Sequence, residues 1–155
     1  MSATPWLDWA IKELGVHESP GPEATPRIVF YDSFTTLKAT SDEVAWCSAF
    51  GCAAMENNGI RSPRSAHARD WLKWGVRLQT PKIGCVAILN RGGSPDPSVI
   101  DGPGHFTFVY SVPVSGSFEG LGGNQGDQVK ISHFKTADVL AWIWPKEEPS
   151  NVQHG

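Results

Sequence analysis

Trp46-Cys47-Ser48-Ala49-Phe50-Gly51-Cys52-Ala53-Ala54 is the stretch on which the reading of this chain turns. The run from Trp46 to Asn58 predicts a helix that stops at Gly59. Its residues are mostly small (Ser48, Ala49, Gly51, Ala53, Ala54), which lets a helix lie close against another backbone and suits a central helix packed on a sheet. The same stretch puts Cys47 in the first turn. A thiol is a useful nucleophile only as thiolate, and the dipole and unpaired amides of a helix N-terminus lower its pKa. Those amides can also hold the oxyanion of a tetrahedral intermediate. The plain alternative for Cys47 is a small buried hydrophobe, and Cys52 and Cys85 read that way. An odd count of three cysteines with no CxxC spacing predicts neither a disulfide framework nor a zinc site.

Upstream, Thr4-Pro5 opens a helix carrying Trp6, Leu7, Ala10, Ile11 and Leu14, ended by Gly15. Thr25-Pro26 opens a second with Ile28, Val29, Tyr31 and Phe34, and Lys38 to Ala45 form a polar loop. Downstream, Ser65 caps a short fourth helix with Trp71 and Leu72, closed by Gly75. The pattern then changes. Val86-Ala87-Ile88-Leu89 predicts a buried strand, and His105 to Val112 a strand with Phe106, Phe108 and Tyr110 on one face and His105, Thr107 and Val109 on the other. Further strands are predicted at Ser117–Leu121, Gln128–Ser132 and Leu140–Trp144, with a Gly/Pro-rich loop over Arg91–Pro103. Helices followed by strands predict an α+β domain over residues 1–145, with the nucleophile helix packed on a C-terminal antiparallel sheet and a polar tail over 146–155.

Two later motifs complete the chemistry. Gly104-His105 places an imidazole at the start of a strand, where it can act as general base and then general acid. Leu121-Gly122-Gly123-Asn124-Gln125-Gly126 offers an amide that can accept a hydrogen bond from that imidazole and fix its tautomer. Asn124 is assigned this role with Gln125 as fallback, although Gly and Asn are also ordinary turn formers. Glu18, Tyr31 and Glu43 are candidate substrate contacts; their plain readings are a loop acid, a core tyrosine and a helix-dipole partner. His17, His67 and His133 lack metal-ligand spacing, so no metal and no cofactor is expected.

The bulk composition narrows the field. At 155 residues, 40% hydrophobic and 19% charged, the chain can bury one core and is not disordered. A formal charge of −3 offers no general basic surface for nucleic acid. No run is long enough to span a membrane, and the N-terminus lacks the basic and apolar regions of a signal peptide. The expectation is a monomer made in the (host) cytoplasm that binds no nucleic acid and does not insert in membranes.

The segments Leu14 to Gly21, Trp46 to Phe50, Ser65-Ala66 through Trp74-Gly75, Pro81 to Cys85, Gly104-His105 and Leu121 to Gln125 together resemble the papain-like cell-wall hydrolases of bacteria and phages. These are the cysteine- and histidine-dependent amidohydrolase/peptidase (CHAP) domains and NlpC-type peptidases, and in particular the chain looks like a CHAP-like subfamily common in phages and prophages. The resemblance runs from near the N-terminus to Pro145. It implies a papain-like fold, Cys47 as nucleophile, His105 as base, Asn124 as the third member, and bacterial peptidoglycan as substrate. It also implies action at the cell wall or periplasm, most simply as a phage endolysin. The alternatives are a delivered antibacterial effector with the same chemistry, or a non-catalytic wall-binding module. One departure stands out: many CHAP domains carry glutamate two residues before the asparagine, and here that position is Gly122.

Overall fold

Helix α3, Cys47–Glu56, lies at the centre of the molecule, and its small residues explain how. A Cβ on Gly51 would overlap the Phe106 ring, so glycine here lets the helix backbone settle onto a strand. The computed structural model describes residues 2–18, 25–35 and 46–146. Glu43, the polar loop over 38–45 and nearly all of the tail beyond Pro145 lie outside them.

Before α3 come α1, Pro5–Lys12, and α2, Pro26–Asp32, each with proline in its first turn as the Thr-Pro pairs predict. The Trp6 indole N–H donates to the Gly84 carbonyl at 2.7 Å and ties α1 to the strand region. The strands are β1 Val76–Leu78, β2 Val86–Asn90, β3 Gly104–Val114, β4 Ser117–Gly122, β5 Lys130–Lys135 and β6 Val139–Trp144. They form one antiparallel sheet in the order β1-β6-β2-β3-β4-β5. The protein is therefore α+β, with the helices gathered on one face of a six-stranded sheet.

Alternation along the strands sorts the core. Val86, Ile88, Phe106, Phe108, Leu121 and Ile143 face the helices and join Trp6, Tyr31, Phe50 and Met55 in the main core. Cys85, Ala87, Leu89, Val109 and Phe118 build a smaller cluster on the other face. Full burial of Phe106 and Phe108 contributes about 2–3 kcal/mol each before entropy is counted.

Two expectations change. The fourth helix is a 3₁₀ segment, Ala68–Lys73, with His67 rather than Ser65 at its N-cap position and no side-chain cap. Ser65 Oγ instead accepts from the His67 N–H (2.9 Å) and donates to Asp70 (2.5 Å), holding the approach to the turn. The short strand β1 is additional. The 91–103 loop is organised by Arg69, which is fully buried. Its guanidinium donates to the carbonyls of Pro103, Val99 and Ser94 and to Asn90 Oδ1, all at 2.7–2.9 Å. Among the described residues no helix is long and apolar enough to cross a membrane.

Candidate active site

Cys47 is the first residue of α3. Its N-cap is Trp46, whose side chain does not occupy the first-turn N–H groups. Trp46 is held in place instead of capping: its indole N–H donates to Glu18 Oε2 at 2.8 Å, and its ring stacks on Tyr31 with centroids 5.9 Å apart. Tyr31 is fully buried and donates its hydroxyl to Glu13, so it supports the site from beneath and does not line a substrate surface. Glu18 likewise holds Trp46, the residue before Cys47.

The sheet makes room for the sulfur. The β3–β4 ladder runs outward from Phe108↔Leu121, and β4 ends at Gly122, so the Gly104–Phe106 end of β3 lies beyond that pairing. A Cβ on Gly123 would clash with Trp46 and Phe50, so the glycine lets the departing chain pass against the start of α3. The Cys47 sulfur sits at this vacated edge, facing the backbone N–H groups of Phe106 and Ser48. It is thus against the residue that follows His105.

His105 pairs across the sheet with Leu89 and is 5% exposed; Cys47 is 6% exposed. The imidazole lies 5.6 Å from the Phe134 ring, and its Nε2 is 3.0 Å from Gln125 Oε1. The Gln125 amide nitrogen donates to the carbonyls of Gly120 (3.1 Å) and Lys130 (2.8 Å), which fixes which end of the amide is oxygen. An oxygen facing Nε2 requires Nε2 to carry the hydrogen. Nδ1 is then the nitrogen with a free lone pair, the one able to take a proton.

The orienting amide is therefore Gln125 and not Asn124, which makes no hydrogen bond to the imidazole. Asn124 has φ 57°, a left-handed turn conformation that asparagine tolerates. It turns the chain so that the longer glutamine reaches inward. Gly122 fits this arrangement, because a Cβ there would overlap Gln125 Oε1 and come within 3.0 Å of Thr107 Oγ1. A glutamate at 122 and this placement of Gln125 exclude each other. Thr107 Oγ1, buried beside them, has no hydrogen-bond partner among the described residues.

Electrostatics modify the expectation for the thiol. Burial pushes the Cys47 pKa up, and the amides of Phe106 and Ser48 with the Arg91 charge offset this only in part. Desolvation thus outweighs the helix start, and a low resting pKa for Cys47 is not what the surroundings produce. Burial also pushes the His105 pKa down to about 4, opposed by Gln125 and assisted by Arg91. Both groups are neutral at rest. Burial likewise raises Cys52, and Cys85 to about 11.

Arg91 acts on both groups from the end of β2, just past the Asn90↔Gly104 pair. The sequence marks it only as a cation opening a glycine-rich loop, and its bearing on the site depends on strand register. Among the described residues no cluster of three or more His, Cys, Asp or Glu is placed to hold a metal ion. No protein-family model matches the chain, and no curated protein matches it in sequence.

Proposed function

We propose that this protein is a papain-like cysteine peptidoglycan hydrolase, an amidase or endopeptidase, in which Cys47 attacks and His105 transfers protons. The observation that carries the reading is the ordered tautomer: Gln125 Oε1 takes the Nε2 hydrogen and leaves Nδ1 basic, on the residue next to the backbone N–H that faces the Cys47 sulfur. A nucleophile, a base and a third group that orients the base are what acyl transfer through a thioester needs.

Since thiol and imidazole are both neutral, the proton moves as the sulfur attacks. His105 Nδ1 takes it while the sulfur bonds to the amide carbon. First-turn N–H groups of α3 hold the oxyanion. His105 then returns the proton to the leaving amine, and water, activated by the same nitrogen, releases the acyl group and restores the thiol. Gln125 keeps the ring in one orientation throughout. A phage endolysin is the simplest setting, with a delivered effector using the same chemistry.

Purified sacculi incubated with the protein should release soluble fragments, and mass spectrometry of them names the bond cut. Cys47→Ala should release none while keeping its circular dichroism; undiminished release would end this reading. The depth of Cys47 and His105 favours a second reading, a non-catalytic wall-binding module of the same fold. Wild-type protein that sediments with sacculi yet releases nothing would select it.

A further inference from the structure

Away from Cys47 and His105, a cavity of about 260 Å³ collects three cations from distant parts of the chain: Arg61, Lys73 and Lys146. Trp74, Gly75 and Ser62 complete most of its wall. Each segment is held in place. The Trp74 indole N–H donates to the Arg61 carbonyl at 2.8 Å, and the backbone and hydroxyl of Ser62 both donate to Glu56. A Cβ on Gly75 would meet the Trp144 carbonyl at 2.5 Å, so glycine lets the strand beneath approach.

None of the three cations has an ion-pair or side-chain hydrogen-bond partner among the described residues. The nearby carboxylate of Glu56 is already engaged by Arg64 and Ser62. Three exposed like charges around one hollow, in a chain of net charge −3, repel one another and add nothing to folding. An adjoining cavity of about 330 Å³ shares Lys73 and Trp74 and adds Asp70, an acceptor suited to hydroxyl groups.

We propose that this hollow binds a phosphate-bearing sugar, with the phosphate among Arg61, Lys73 and Lys146 and the ring against Trp74. The cations supply charge-assisted hydrogen bonds, and an indole face suits the C–H side of a sugar. The volume lies just below the usual range for drug-sized ligands and is adequate for one phosphorylated monosaccharide. The ligand is either a soluble sugar phosphate or a phosphorylated unit of a wall polymer. The proposal does not depend on Cys47 or His105.

The probe is glucose 6-phosphate, titrated into ¹⁵N-labelled full-length protein with the Trp74 indole and Gly75 amide signals followed. Saturable shifts confined to this region are expected, weakening as salt is raised. Affinity should fall about tenfold or more in Lys73→Gln or Arg61→Gln, and similarly when glucose replaces its phosphate ester. Glu147 and Glu148 follow Lys146 in sequence and lie outside the described residues. If they compete for the cations, Glu147→Gln/Glu148→Gln binds more tightly; if they do not, it binds equally. Weaker binding by that variant, equal response to glucose, or no shift in this region would overturn the proposal. Sedimentation of Cys47→Ala with sacculi, before and after chemical removal of phosphate polymers, identifies the source. A loss of retention on removal assigns a wall polymer, and unchanged retention with glucose 6-phosphate binding assigns a soluble ligand.

Discussion

Lowering the pH from 7 to 5 charges an ordinary histidine but leaves His105 largely neutral, because burial pushes its pKa down from 6.5 to about 4. In the unfolded chain the same ring protonates near 6.5. Between these values the unfolded state binds a proton that the folded state does not, so stability falls as pH drops. The loss begins near pH 6.5 and is complete below about 4. Relative to pH 7 it amounts to about 2 kcal/mol at pH 5 and about 3 kcal/mol at pH 4. Carboxylates titrate in the same window, so the informative quantity is a difference between proteins. Denaturant unfolding of wild type and His105→Gln at pH 7, 5 and 4 supplies it, since the carboxylates are common to both. The wild type should lose about 3 kcal/mol more than the variant by pH 4. Equal losses would show that the imidazole is not held neutral, and the tautomer argument would fall with that result.

Gln125→Ala should lower kcat on sacculi roughly 10²-fold through loss of ring orientation, with Asn124→Gly close to wild type. Gly122→Glu should also lose activity, because its side chain displaces Gln125; a gain would refute the exclusion. Arg91→Gln removes a charge that holds the His105 pKa down, so the acid limb of kcat/KM, expected near pH 4, should move to higher pH. Arg69→Met strands four acceptors around the 91–103 loop and should cost about 3–5 kcal/mol in denaturant unfolding. Thr107→Val removes a buried hydroxyl without a partner among the described residues and should raise stability by about 1 kcal/mol.

The parts of the fold that local chemistry dictates were legible. Thr4-Pro5 and Thr25-Pro26 mark two helix starts, the small-residue run marks the helix that meets the sheet, and alternation at His105–Val109 sorts the two faces of β3. What was hidden depends on contacts between distant segments. β1 has only three residues and a largely exposed pattern, too little to register as a strand. Arg69 lies in a polar stretch and gives no sign that it will be buried under a loop 20 to 35 residues away. The choice between Asn124 and Gln125 was partly readable, since asparagine directly after two glycines favours a left-handed turn and leaves the longer amide to reach inward. The thiol pKa was not. A helix start pulls it down and desolvation pushes it up, and only the depth of burial decides between them.

The central claim is that Cys47 becomes acylated by wall peptide. Acid-quenched mixtures of the protein with purified muropeptides, analysed by intact-protein mass and peptide mapping, test it most directly. The account predicts a thioester adduct on Cys47, absent in Cys47→Ala and in His105→Gln. Turnover of the muropeptides with no adduct on Cys47, and at an undiminished rate in Cys47→Ala, would contradict it.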